Sequence, residues 1–141
     1  MAYNYSKSLR LPFKEVVGKL QENLAQEGFD MINVMDIKQN TKSKLGLTFR
    51  NYKIMTACHS LLSYKAISLE SHIGVLLPCN VVIQEHENGE VEISALNPLE
   101  TIDPNMVTPT LEIVATEISN HLRAAIDALR VKRSEFILSY S

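Results

Sequence analysis

Apolar and polar positions along this chain follow two periods, one of about two residues and one of three to four. Tyr3, Tyr5 and Leu9 alternate with polar residues in a run that ends at Pro12, which reads as a half-buried first strand. Phe13, Val16, Val17, Leu20 and Leu24 then recur at helical spacing. Lys14, Glu15, Lys19, Glu22 and Asn23 take the other face, so an amphipathic helix is predicted, stopped by Gly28. Phe29, Met31, Ile32 and Val34 form a short apolar run read as a strand, and Asp36 is placed to cap a weak helix running toward Leu45-Gly46. Tyr52-Lys53-Ile54-Met55-Thr56-Ala57 predicts another strand. Leu61, Leu62, Lys65, Ala66 and Leu69 fit a helix that begins at about His59 or Ser60.

Further on, Ile73 to Leu77 reads as an apolar extended run ending at Pro78, and Val81-Val82-Ile83 resumes extended structure. Val91, Ile93 and Ala95 alternate with Glu92 and Ser94. Between these runs, Asn88-Gly89 favours a type I′ hairpin turn, whose two central residues both need positive φ. Asn97-Pro98 ends the strand, and a loop passes Asp103-Pro104 and Thr108-Pro109. A long helix follows with Leu111, Val114, Ala115, Ile118, Leu122, Ala125, Ile126 and Leu129 on one stripe. Thr108 is its cap, and Arg130, Lys132 and Arg133 complement the negative end of its dipole. The order βαβ(α)βαβββα predicts an α+β fold: a mostly antiparallel or mixed sheet covered by helices in a two-layer sandwich. No repeat or long linker interrupts it, so a single domain is expected over residues 1–141.

Composition narrows the partners. The formal charge of −2 and pI near 6.1 give no basic footprint for a phosphate backbone, so nucleic acid is not an expected partner. No apolar stretch approaches the roughly 20 residues of a spanning helix, so no membrane is expected either. The first residues, Met1-Ala2-Tyr3-Asn4-Tyr5-Ser6-Lys7, are too polar for a secretory signal, and a cytoplasmic protein with reduced thiols is expected. The apolar tail Phe136-Ile137-Leu138 would be wasted in water, and packing on a second subunit is one use for it.

At Tyr52-Lys53-Ile54, Ala57-Cys58 and Gly74-Val75-Leu76-Leu77-Pro78-Cys79-Asn80-Val81-Val82, the chain resembles the bacterial and archaeal family catalogued as domain of unknown function 302. Gly28-Phe29 and Asn97-Pro98 fit the same pattern. The resemblance implies a small α+β fold that forms homodimers, and it implies no biochemical activity. One departure stands out: where the family usually has Ala-Cys-Asn-Pro, this chain has Ala57-Cys58-His59-Ser60. Ser60 is a possible cap in place of the missing proline turn.

The candidate chemistry lies around the two cysteines. Cys58 falls at a strand-to-helix junction, where unsatisfied N–H groups and the positive end of a helix dipole favour a thiolate. Against this stands the ordinary use of free cysteine as a small buried hydrophobe. Metal ligation by Cys58, His59 and Cys79 with His72 or His86 is a third reading. Adjacent side chains such as Cys58 and His59 point in different directions, however, so no metal set is assigned. His72, His86 and His121 read as solvated. Asn80, between Pro78-Cys79 and an apolar strand, needs hydrogen-bond partners if buried. Lys38, Lys42 and Lys44 read as a solvated helix face that could attract an anion. No phosphate loop, nucleophile elbow or zincin motif occurs, and no cofactor is expected. The leading expectation is a non-enzymatic homodimer that binds a small ligand or partner in a cleft lined by Cys58, His59, Ser60, Cys79 and Asn80. The alternatives are a thiol-dependent enzyme or redox protein using Cys58 with Cys79, and a weak metal-binding protein.

Overall fold

In the computed structural model, which describes residues 4–96 and 103–130, the predicted periods resolve into one sheet and one helical layer. The strands are β1 (Asn4–Leu9), β2 (Phe29–Asp36), β3 (Tyr52–His59), β4 (Cys79–Glu85) and β5 (Val91–Leu96). The helices are α1 (Phe13–Gln26), α2 (Ile37–Leu45), α3 (Ser60–Leu69) and α4 (Pro109–Asp127). Sheet order is β1-β5-β4-β3-β2, and every neighbouring pair is antiparallel. The α1 connection therefore carries the chain from one edge strand to the other.

Strand alternation decides which face is covered. Met55 lies opposite Val81, Val81 opposite Ala95, Ile83 opposite Ile93 and Leu9 opposite Val91, and all of these are buried. Against them pack Val16, Leu20 and Leu24 of α1, Leu62 and Ala66 of α3, and Leu111, Ile118, Leu122 and Ile126 of α4. Each such Val, Leu, Ile or Met side chain contributes roughly 1.5–3 kcal/mol on full burial. The other face of the sheet stays open and is mixed: Ser6 and Ser94 share a 3.0 Å hydroxyl contact and Thr56 Oγ1 donates to Asn80 Oδ1 at 2.9 Å, while Met35, Ile54 and Val82 lie side by side across three strands.

Local signals set the helix ends. Asp36 accepts the Gln39 N–H and Gly46, at φ 68°, closes α2, while Thr108 accepts the Leu111 N–H at 3.1 Å to start α4. Three expectations are corrected. Ile73 to Leu77 is no strand: Ser71–Leu76 forms a tight 3₁₀ turn, begun by the Glu70 carboxylate accepting the His72 N–H. The hairpin turn is not type I′, because only Gly89 has positive φ. A three-residue loop closes it, with Gly89 N–H donating to His86 O and His86 N–H to Glu90 O. α3 is capped by His59 instead of Ser60. Tyr3, Asn97-Pro98, Lys132, Arg133 and the Phe136-Ile137-Leu138 tail lie outside the described residues. Among the described residues, no helix is long and apolar enough to cross a membrane.

Candidate functional site

At the end of β3 the chain turns directly into α3, and the residue at the turn does two jobs. His59 keeps extended backbone (φ −90°, ψ 100°), which lets its Nδ1 accept the Leu62 N–H at 3.4 Å and cap the helix. Because a backbone N–H donates to Nδ1, the proton of the neutral ring sits on Nε2. That edge of the ring lies on Gly28, where a Cβ would come within 2.5 Å of Nε2. Buried Phe29 meets the imidazole edge-on, with centroids 5.3 Å apart.

His121 of α4 lies against the same ring, with centroids 5.2 Å apart and planes tilted by 32°. Its Nδ1 is 2.9 Å from Glu27 Oε1 at the end of α1. A carboxylate accepts, so Nδ1 donates and Nε2 of the neutral ring is left as an acceptor. No described residue bonds to that nitrogen. The His121 side chain is 42% exposed and Glu27 31%, so solvent reaches the group. Sequence reasoning read His121 as solvated and passed over Glu27; the two are 94 positions apart and carry no local signature.

The two cysteines occupy neighbouring positions on adjacent strands. Cys79 opens β4 opposite Ala57, one residue before Cys58, and packs against the core. Burial pushes the Cys79 thiol up to about 11, and nearby Cys58 adds to the rise. It is therefore a protonated thiol at neutral pH. Cys58 is half-buried, with Sγ 3.0 Å from the hydroxyl of Ser63, a buried serine one turn into α3.

The remaining candidates point elsewhere. Ser60 is exposed and its Oγ donates to Asp30 Oδ2 at 2.9 Å. Asn80 is exposed on the open sheet face, bonded to Thr56. Successive side chains along a strand alternate between faces, which is why Cys79 and Asn80 part company. The other histidines are paired as His121 is: His72 Nδ1 with Glu70 at 3.1 Å and His86 Nε2 with Glu92 at 3.0 Å. The bonds from His72, its backbone N–H first, hold the Glu70 carboxyl below its ordinary range. Among the described residues no three His, Cys, Asp or Glu side chains converge as a metal site.

Comparison with known proteins places this chain among relatives. The family described as Domain of unknown function DUF302 matches residues 5–129. The crystal structure of an uncharacterized conserved protein DUF302 from Bacillus stearothermophilus is similar, with 26% identity and a TM-score of 0.82. That similarity covers 92% of this chain and 100% of the other. No curated protein matches.

Proposed function

Because the chain belongs to the DUF302 family, whose description supplies no activity to inherit, we propose a role from its own residues: a cytoplasmic, non-enzymatic homodimeric domain that binds a small polar ligand beside the two cysteines. The observation that carries this reading is the Glu27–His121–His59 contact chain. Three elements bring a carboxylate and two imidazoles together at a solvent-accessible place. Glu27 orients His121 so that Nε2 faces no protein partner, and His59 is held by its capping bond and by Gly28. A fixed imidazole with one unused nitrogen is a hydrogen-bond or ionic anchor for a hydroxyl or carboxyl group.

The thiols support binding over covalent chemistry. Cys79 keeps its proton, and the Cys58 sulfur is engaged by Ser63. Their neighbouring positions are the one observation in favour of the redox alternative.

The dimer reading rests on α3, which exposes Leu61 (59%), Tyr64 (71%), Ile67 (45%) and Leu69 (48%). An apolar helix face pairs with itself across a two-fold axis and closes, and an exposed tyrosine amid aliphatics is a typical interface anchor. Sedimentation equilibrium is expected to give a dimer for the native chain and a monomer for Tyr64→Glu with unchanged circular dichroism. For the ligand, glycolate, succinate and phosphate are titrated against protein carrying ¹³C-labelled histidine. At least one should move the His59 and His121 ring signals together, and Glu27→Gln should abolish the movement. A monomeric native chain sinks the dimer, and unmoved rings sink the ligand site.

A further inference from the structure

α2 is the one helix among the described residues that buries none of its side chains, so packing on the core gives it little reason to persist. It is nevertheless well built, with the Asp36 cap at one end and left-handed Gly46 at the other. The segment that follows it is pinned as well. Arg50 lies over the Phe49 ring at 4.5 Å and donates to Gln84 Oε1 at 3.0 Å, while Asn51 Nδ2 donates to Glu85 Oε1 at 2.8 Å. Lys38 Nζ reaches across from α2 to Asn51 Oδ1 at 3.3 Å. A cleft of about 360 Å³ lies between α2 and this segment.

We infer that this cleft, lined by Lys38, Lys42, Leu47, Thr48 and Phe49, is a second binding site that takes a small aromatic carboxylate. Its volume falls in the range of small-molecule pockets, which are mainly apolar with a few polar groups that fix orientation. Leu47, 59% exposed, and half-buried Phe49, one face of whose ring Arg50 covers, supply an apolar surface. Lys38 and Lys42 are one turn apart on the same side of α2 and supply positive charge. The one acid in the lining, Asp36, already accepts the Gln39 N–H. The Lys42 carbonyl accepts the Gly46 N–H, but Nζ has no hydrogen-bond or ion-pair partner among the described residues, so the ammonium is available to an anion. A neutral apolar molecule would leave that charge unused, and a phosphorylated sugar would leave Leu47 and Phe49 unused.

The test uses the full chain, ¹⁵N-labelled, titrated with 1-naphthoate and separately with the uncharged analogue 1-naphthalenemethanol. The expected result is saturable amide shifts confined to residues 36–49, with the alcohol at least tenfold weaker. Lys42→Gln should weaken 1-naphthoate by about tenfold, the loss of one charge-assisted contact. Lys42→Arg should retain most of the affinity. Leu47→Ser should weaken both probes, and since Lys42 and Leu47 are exposed none of these changes threatens the fold. Shifts centred elsewhere, equal affinity for the two probes, or unchanged binding by Lys42→Gln would overturn the assignment.

Discussion

The imidazole of His59 fills the space that a Cβ on Gly28 would need, with Nε2 only 2.5 Å from that position. Gly28 is also held at φ +94°, where side chains other than glycine's are strained by about 1–3 kcal/mol. Gly28→Ala therefore meets two penalties, and a loss of roughly 2–4 kcal/mol is expected in urea unfolding. The two separate in a double-mutant cycle. In a His59→Ala background the steric penalty disappears and the backbone penalty stays, so the coupling energy should exceed about 1 kcal/mol. Simple additivity would show that the ring does not rest on the glycine.

The cap at His59 gives a second, independent expectation. His59→Ala removes both the acceptor for the Leu62 N–H and the contacts with Phe29 and His121, whereas His59→Asn keeps an N-cap acceptor and loses only the contacts. The alanine variant should be less stable than the asparagine variant by about 1 kcal/mol, the usual worth of a cap. Amide exchange at the start of α3 should be faster in the alanine variant alone. Equal exchange in both would remove the capping role.

At the opposite edge, Tyr5 OH donates to the Asp127 carboxylate while the Arg123 guanidinium lies 4.5 Å over the tyrosine ring. Lys7 Nζ adds bonds to the carbonyls of Asp127 and Leu129, so edge strand β1 is latched to the end of α4. The bond to Asp127, first among the causes, raises the Tyr5 phenol above its ordinary range. Tyr5→Phe keeps the ring and deletes the donor. Because the bond is solvent-exposed, the expected loss is only about 0.5–1 kcal/mol, read as a lower urea midpoint at constant m. A loss above about 2 kcal/mol would mean the latch is a larger part of the fold than its exposure allows.

What could be read from the sequence was what is decided locally. Asp36 and Thr108 were legible as caps because a cap needs only its own side chain and the N–H three residues on. The β4–β5 pairing was legible from alternation, but its turn was not. Asn88 Oδ1 accepts the Glu90 N–H and its carbonyl takes the Arg10 guanidinium from 78 residues away, and Asn88 keeps negative φ. Ile73 to Leu77 looked extended because an apolar run of five has no period that separates strand from helical turn. The glutamate that starts the turn, Glu70, lies outside the run. The cysteines were found by their motif. The partners that give the region its chemistry, Glu27 and His121, meet only after α1 and α4 have packed.

The state of Cys79 ties stability to pH and separates binding from thiol chemistry. Burial raises its pKa from 9.0 to about 11, so the folded chain holds that proton more tightly than the unfolded chain. Between these values the unfolded chain has lost the proton while the folded chain still binds it, so rising pH favours unfolding. The contribution is fully present below about pH 8.5 and is lost as pH climbs through about 11, for a total of roughly 2–3 kcal/mol. Lysines and tyrosines titrate there too, but equally in a Cys79→Ala variant. The stability difference between native chain and variant should therefore shrink by about 2 kcal/mol from pH 8 to pH 11. The same burial makes Cys79 a poor nucleophile. At pH 8 a disulfide reagent should modify half-buried Cys79 more slowly in the folded protein than in urea. Modification of Cys79 in the folded chain at the rate of a free thiol, with a stability difference that does not change with pH, would make the pair reactive and restore the redox reading over the binding one.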